Sequence, residues 1–414
     1  MRKDSIFLKI FSNFSWTLGG EVAGRVFGFL AVIVLARRLG KSSYGMWAFA
    51  MALLSYGMLL TDFGLNTYAT LEVSKNRDRL KDLLGNILAI RTLIAIFSIV
   101  MITFFSFIIP KFKPLSDILF LTFLNLIPFA LMVDWAFKGL EDMKYNAIWS
   151  FIFYSLFFVL ILLLVHTQED LLKVPASRFI AISLATLLSL FFLYTKYREL
   201  FAFNIDLKSW LPILKVSGVL AASFVMIKIY YNIDVVMLGF FRSMKEVGVY
   251  SAIYNFVLAL SVVRFSLLYA VQPTLARYET TPWEKFSKFV RNFEFISISV
   301  GIILYIFVLL AAGPIIKIFY GAKYWSPETV KLLRILVNAN LIMFVNLVFP
   351  TLLIVARRET LYFWVTTAGA VSNFLLNLIF VPKFGYFGAA YTTVLSELIV
   401  FVVSFSLYYR LIKL

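Results

Sequence analysis

Charged side chains lie within long apolar runs of this sequence. Each needs a partner or water, because an ionised group in hydrocarbon costs about 2.5–3.5 kcal/mol or more. Glu21 and Arg25 are four residues apart, so they share one face of a helix, beside glycines at 20, 24 and 28. One interpretation is that both residues line a polar cavity. Arg25 then contacts an anion, and Glu21 either modulates the charge of Arg25 or binds a cation. The alternative is a self-neutralising pair on a tightly packed helix.

A second polar group lies in the apolar run near 210–237. Lys228 has no acidic residue three or four positions away, so its partner must come from another segment or from a ligand, which favours a cavity cation. Lys215 suits a ligand contact or a snorkelling contact with lipid headgroups. Tyr231 lies between Lys228 and Asp234, and Asp234 is either an interfacial carboxylate or an ion-coupling residue.

The apolar run near 247–272 carries a stripe of side chains spaced three and four residues apart, which places them on one helix face: Tyr250, Tyr254, Val257, Ser261 and Arg264. The planar fork of Arg264 suits bidentate contact with phosphate. Tyr254, with its neighbour Asn255, suits stacking on sugar rings or hydrogen bonding to hydroxyls. Tyrosines near span ends also belong to interfacial belts, so the role of Tyr250 stays open.

Two further acidic residues are candidates for ion coupling or gating. Glu397 lies near the middle of the last apolar run, where the alternative is a structural pair with a basic residue of another helix. Asp62 begins the segment DFGLN at the end of the second run and is interpreted as a helix-end or gate residue.

The composition excludes most thiol and imidazole chemistry. The chain has no cysteine and one histidine, so it lacks the residues for CxxC redox pairs, zinc clusters and His-based triads. A GxxxxGK[ST] phosphate loop is also missing, which argues against ATP hydrolysis. The sequence therefore predicts no catalytic residue, no metal centre and no cofactor.

The elements that must position these residues are membrane helices. Of 414 residues, 62% are hydrophobic and 15% charged, against about 45–50% and 25% in soluble domains, and the mean hydropathy is +0.90. The net charge of +17 lies mostly in short connections, which favours membrane topogenesis over nucleic-acid binding. The sequence predicts an all-α polytopic membrane protein with about twelve spans: 10–36, 44–69, 83–109, 115–138, 146–166, 176–197, 210–237, 247–272, 286–312, 330–355, 361–381 and 386–410.

An internal repeat divides the predicted spans into two sets. The segments LARRLGKSSYGMWAFAMAL and MLGFFRSMKEVGVYSAIYNFVLAL both run through LG, a polar turn and a Gly/Tyr step into the next span. The segments beginning KPLSDILF and SPETVKLL form a second pair. The repeat predicts two six-helix lobes, 1–200 and 201–414, related by a pseudo-two-fold axis along the membrane normal. The distribution of Lys and Arg favours both termini in the cytoplasm.

Several segments resemble the polysaccharide-biosynthesis or O-antigen repeat-unit flippases of the multidrug/oligosaccharidyl-lipid/polysaccharide exporter superfamily. They include ARRLGKSSYGMWAFAMALLSYGMLLTDFGLN, FKGLEDMKYNAI, YNIDVVMLGFFRSMKEVGVYSAIYN, PIIKIFYGAKY and NLIFVPKFGYFGAAYTTVLSEL. The resemblance implies a central cavity lined by the first, second, seventh and eighth helices. It also implies export of polyprenyl- or dolichyl-(pyro)phosphate-linked oligosaccharide across a prokaryotic cytoplasmic membrane by alternating access, with membrane lipids and glycan-assembly proteins as partners.

On this resemblance, Arg25, Lys228 and Arg264 surround the cavity, and like charges there require an anion or water. A coupling cation, Na⁺ or H⁺, is left open, as are the sugar and the oligomeric state. The nearest alternative is a multidrug/toxin cation antiporter of the same superfamily, which would need acidic cavity walls. A membrane glycan polymerase would need a long outer catalytic loop, which the sequence lacks, and a structural scaffold does not explain mid-span cations.

Overall fold

The computed structural model describes residues 3–275 and 282–412, and some side chains near the start of the chain, within 220–229 and at positions 273, 283, 411 and 412 lie outside this description. Every regular element in these ranges is helical. The α-helices, joined by short turns and 3₁₀ segments, are α1 (Lys3–Asp62), α2 (Leu65–Lys75), α3 (Arg79–Ile108), α4 (Ser116–Phe123), α5 (Leu126–Ala130), α6 (Asp134–Gly139), α7 (Lys144–Leu164), α8 (Lys173–Lys196), α9 (Leu207–Phe241), α10 (Met244–Leu275), α11 (Trp283–Tyr320), α12 (Pro327–Val345), α13 (Phe349–Val355), α14 (Glu359–Phe384) and α15 (Tyr386–Ile412).

Long helices dominate because backbone N–H and C=O groups in hydrocarbon must find partners within the same segment. Within the described residues, ten ranges are long and apolar enough to cross a membrane. One of them, Val26–Lys75, has 50 residues, about twice the length that one span requires. The prediction of an all-α polytopic membrane protein is confirmed, and the count of twelve spans stays a prediction.

Two glycines interrupt the helical backbone within this 50-residue range. Gly40 has φ 72° and ψ 178° inside α1, and Gly64 has φ 75° immediately before α2. A side chain would strain both conformations, because the left-handed region is costly for residues that carry a Cβ atom. These breaks divide the range into shorter helical segments.

The predicted spans 115–138 and 330–355 are broken helices rather than continuous ones. The first consists of α4, α5 and α6, and the second of α12 and α13. Each carries a proline, Pro128 or Pro350, which removes a backbone donor. In the first, the fully buried Arg91 donates 2.9 Å hydrogen bonds to the carbonyls of Phe129 and Met132. The guanidinium thus supplies extra donors to carbonyls at the break between α5 and α6.

The helices pack as two compact units. Unit 1 comprises Met1–Leu39 and Ala50–Val225, and its core includes buried residues of α2, α3 and α6. The stretch after α8 packs on this core through Phe201 and Trp210. There the Asn86 side-chain oxygen accepts 2.9 Å hydrogen bonds from the Asp206 amide and the Trp210 indole. These contacts tie the start of α9 to unit 1.

Unit 2 comprises Gly40–Phe49 and Met226–Leu414. Within it, the short segment 40–49 crosses the start of α10 at the glycines of the two repeated Gly/Tyr steps. A Cβ atom on Gly45 would lie 2.8 Å from the backbone nitrogen of Gly248, and one on Gly248 would lie 3.0 Å from that of Gly45. Since a real Cβ atom does not approach backbone so closely, this crossing requires glycine on both sides.

Candidate functional site

A cavity of about 250 Å³ lies inside unit 2. Residues of α9, α10 and α12–α15, with the break between α12 and α13, surround it. Its polar lining consists of Tyr230, Tyr231, Arg264, Asn346, Tyr362, Thr366 and Glu397, and its apolar lining of Phe265, Met343, Leu347, Pro350, Val365 and Val400. Three phenol rings, one guanidinium and one carboxylate therefore line the same cavity.

Arg264 is the cation of this cavity, and only 8% of the residue is exposed. Its guanidinium interacts with the Tyr231 hydroxyl and lies 5.3 Å from the Phe265 ring centre. In the part of the chain that the structure describes, no carboxylate lies within 4.0 Å of it, although Glu397 is within electrostatic reach. A buried guanidinium with no direct counter-ion is suited to binding an anionic group.

Glu397 lies in the same cavity and is 5% exposed. Its Oε1 atom accepts a hydrogen bond from the Tyr230 hydroxyl. The basic residue that interacts with Glu397 is Arg264, at longer range than an ion pair. The group that is hydrogen-bonded to Glu397 is the neutral phenol of Tyr230.

Asp234 lies in α9 and is completely buried. Its Oδ2 atom accepts hydrogen bonds from the Tyr250 hydroxyl at 2.9 Å and the Thr393 hydroxyl at 3.1 Å, and its Oδ1 atom accepts one from the Asn377 amide. All these donors are neutral. Among the described residues no lysine or arginine nitrogen lies within 4.0 Å of the carboxylate. A buried carboxylate with only neutral partners is stabilised by a proton or a small cation.

The surroundings of Asp234 add more polar oxygens. Asn377 also donates to the Asn373 side-chain oxygen at 2.8 Å, and the Thr392 hydroxyl donates to the Asn377 side-chain oxygen at 2.9 Å. The sequence argument missed this network, although Asn373 and Asn377 are four residues apart within an apolar run and therefore share one helix face. The cluster joins α9, α10, α14 and α15.

Tyr254 and Asn255 lie in different surroundings from each other. The Tyr254 ring, 6% exposed, stacks on Tyr250 with centroids 5.4 Å apart. The Asn255 amide instead donates to the Tyr44 hydroxyl at 3.3 Å, in a cluster of phenols that includes Tyr324, whose pKa is raised by burial. The polar side chains of α10 therefore contribute to two clusters, one that contains Tyr250 and Asp234 and one that contains Tyr44 and Tyr324.

The two predicted lysines are exposed and do not line this cavity. Lys228 lies one turn before Asn232, whose amide donates to the Lys228 carbonyl at 3.3 Å. Lys215 lies in the part of α9 that belongs to unit 1. Their proposed contacts with ligand or headgroups stay predictions.

The remaining predicted residues belong to unit 1. The side chains of Glu21 and Arg25 lie outside the described residues. Asp62 ends α1 within electrostatic reach of Arg91 and Asp134, and its buried Oδ1 atom has no hydrogen-bond partner among the described residues. Its role as a gate residue stays a prediction.

Comparison with known proteins places this helical architecture in a family. The model of the family described as "Polysaccharide biosynthesis protein" matches residues 10–279, well over half of the chain. The chain belongs to this family. A second family model, MatE, matches residues 220–379, which cover α10–α13, most of α9 and most of α14. The family membership confirms the resemblance seen in the sequence and identifies a transporter of the multidrug/oligosaccharidyl-lipid/polysaccharide superfamily.

Individual relatives are distant. A protein of Escherichia coli (strain K12) named "Putative O-antigen transporter" is 21% identical over 140 residues, which span 33% of this chain and about a third (34%) of that relative. Among solved structures, lipid II flippase MurJ in an inward closed conformation matches with a TM-score of 0.75 and 15% identity, covering 95% of this chain and 87% of MurJ. An inward-facing multidrug resistance MATE family transporter matches with a TM-score of 0.74 and 11% identity over 94% and 96%. At these identities the structures establish the shared fold.

Proposed function

We propose that this protein is a flippase that moves an oligosaccharide linked to a polyprenyl or dolichyl (pyro)phosphate across a prokaryotic cytoplasmic membrane. Family membership and the O-antigen transporter relative support a glycan substrate. The fold shared with lipid II flippase supports a lipid carrier. Transport proceeds by alternating access, both termini are cytoplasmic, and glycan-assembly proteins supply or receive the substrate.

The observation that carries this proposal is the cavity around Arg264. A phosphate or pyrophosphate complements the buried guanidinium, which has no carboxylate within 4.0 Å in the described part of unit 2. Tyr231 and Tyr362 offer ring faces and hydroxyls to a sugar, and Asn346 offers an amide. We assign Arg25 and Lys228 to contacts with the same anionic group at later steps of transport.

The test is translocation of a fluorescent polyprenyl-pyrophosphate oligosaccharide in proteoliposomes that contain the purified full-length protein. Arg264→Gln removes the positive charge and the bidentate guanidinium. The transport rate should then fall about 10- to 100-fold, which corresponds to the free energy of hydrogen bonds to a charged group. The matched control is Arg334→Gln, which removes an exposed arginine of α12 outside the cavity and should leave the rate within twofold. Equal rates in both variants would refute the role of Arg264.

The second part of the proposal is that Asp234 binds the coupling cation. Its carboxylate is fully buried among neutral hydroxyl and amide groups, which suits Na⁺ or H⁺ better than a permanent ion pair. Thr393, Asn373 and Tyr250 complete the set of polar groups at this position. Glu397 and Asp62 are weaker candidates, because each lies within electrostatic reach of a buried arginine, Arg264 for Glu397 and Arg91 for Asp62.

Asp234→Asn keeps the size of the side chain and removes its charge. Substrate movement should then lose its dependence on a Na⁺ or H⁺ gradient. Asp117→Asn, which changes an exposed acidic residue at the start of α4, should retain that dependence. A gradient response in Asp234→Asn equal to the wild-type response would exclude this site.

A second candidate function is export of lipophilic cations. The MatE match over residues 220–379 and two buried acidic residues in unit 2, Asp234 and Glu397, favour it. The same proteoliposomes, loaded with ethidium instead of glycan lipid, distinguish the two functions. Gradient-driven ethidium movement without glycan-lipid movement would replace the flippase proposal.

A further inference from the structure

Unit 1 contains a second cavity, of about 190 Å³, between α1, the broken span and α7. Its polar lining is formed by Asp134, Lys138, Asn146 and Ser150. The remaining walls are Gly20, Met132, Met143, Ala147 and Trp149. None of these residues belongs to the cavity of Arg264 or to the network of Asp234.

The acceptors in this cavity outnumber their donors. Asp134 accepts from the Asn66 amide at 3.0 Å on both oxygens and from Lys138 Nζ at 2.7 Å on Oδ2. A carboxylate offers about four acceptor positions, so Oδ1 retains one. The Asn146 amide nitrogen donates to the Asp134 main-chain oxygen at 3.1 Å, whereas its buried Oδ1 atom has no partner in the described part of the chain. The site is therefore complementary to a group that carries several N–H donors.

The position of the cavity indicates where that group comes from. Asp134, Lys138 and Asn146 lie near the facing ends of two candidate spans, Lys113–Gly139 and Lys144–Leu164. Span ends lie at the level of lipid headgroups. Lys138 is exposed at this end and is available to a phosphate.

The size of the cavity restricts the occupant further. It is several times the roughly 30 Å³ that one water occupies in the liquid. It is also below the roughly 300 Å³ at which pockets for drug-sized molecules begin. A single phospholipid headgroup fits inside with its acyl chains outside.

We propose that this cavity binds the primary ammonium headgroup of a membrane phospholipid of the phosphatidylethanolamine type. The ammonium donates to Asn146 Oδ1 and to the free position on Asp134 Oδ1. The phosphate of the same lipid contacts Lys138. This site is independent of the glycan-lipid substrate and of the coupling cation.

The first experiment needs no variant. Native mass spectrometry of the purified full-length protein measures its binding of phosphatidylethanolamine, its N-methyl and N,N-dimethyl forms and phosphatidylcholine, all with the same acyl chains. Each methyl group replaces one N–H donor, so affinity should fall stepwise, by about tenfold or more overall. Equal binding of the first and last lipids, or tighter binding of phosphatidylglycerol, would overturn the proposal.

A matched pair of variants then tests the position. Asn146→Asp and Asn146→Leu both lose the hydrogen bond to the Asp134 carbonyl, and they differ in whether an acceptor remains. Asn146→Asp should bind phosphatidylethanolamine more tightly than wild type, and Asn146→Leu about tenfold more weakly. A merely structural role would weaken binding in both variants and would overturn the assignment.

A final arm distinguishes the lipid from free amines. Water-soluble glycerophosphoethanolamine carries the same headgroup without acyl chains and should compete poorly with the lipid. Competition at concentrations equal to those of the lipid would overturn the assignment to a membrane lipid.

Discussion

Replacing Gly45 with alanine should force apart the crossing between segment 40–49 and α10. The added Cβ atom would lie 2.8 Å from the backbone nitrogen of Gly248 and would overlap the Met244 carbonyl oxygen. These neighbours are backbone atoms, which cannot rotate away as a side chain does. Overpacking of this kind costs about 1–3 kcal/mol, so the equilibrium for opening the crossing should rise about 5- to 150-fold.

A single cysteine reports this opening well, because the natural chain has none. Ser251 lies one turn beyond Gly248 in α10, is 3% exposed and differs from cysteine by one atom. The rate at which a maleimide labels Ser251→Cys measures how often the buried position becomes accessible. In the Gly45→Ala background that rate should rise by the same 5- to 150-fold factor.

The matched control is Gly313→Ala. The nearest atom to its new Cβ would be the Trp325 indole nitrogen at 3.7 Å, an ordinary contact. This helical substitution should stabilise the protein slightly, by about 0.5–1 kcal/mol. Labelling of Ser251→Cys that is the same in both glycine variants would refute the steric argument.

Other substitutions follow from the same contacts. Gly248→Ala should raise the labelling rate as Gly45→Ala does, and the double variant should add little, because both open one crossing; additive effects would contradict this. Arg91→Leu should lower the free energy of unfolding by about 3–5 kcal/mol in detergent, since it removes two buried hydrogen bonds of a charged group to carbonyls of the broken span. A loss below about 1 kcal/mol would mean that Arg91 has no such structural role. Trp210→Phe removes the hydrogen bond to Asn86 and should speed proteolysis of residues 197–206; an unchanged rate would contradict the docking of that stretch.

Apolar run length predicted most of the helical architecture, because hydrocarbon leaves the backbone no alternative to the helix. It did not predict the breaks in the spans near 115–138 and 330–355. A hydropathy profile does not detect such breaks, because the interrupted segments are as apolar as the continuous ones. Pro128 and Pro350 were the available signals, and a carbonyl partner such as Arg91 is what makes one break tolerable.

The candidate site was predicted less completely than the fold. Burial cost, which acts on each side chain separately, pointed to Arg264 and Glu397 as ionisable residues within a span, and both are buried. For Asp234 the sequence left an interfacial position open, whereas the structure buries the residue completely. The partners of all three depend on contacts between distant helices. Asn377 and Thr393 are separated from Asp234 by 143 and 159 residues, and no local spacing encodes such contacts.

The hydrogen bonds of Arg91 also have a consequence for biogenesis. The carbonyls that receive its guanidinium lie 38 and 41 residues further along the chain. During synthesis, α3 therefore enters the bilayer before its acceptors have left the ribosome, carrying a charge that costs about 2.5–3.5 kcal/mol at the centre of a helix. Until the broken span follows, the guanidinium lacks these two acceptors, so we expect α3 and α4–α6 to be released into lipid together as one insertion unit.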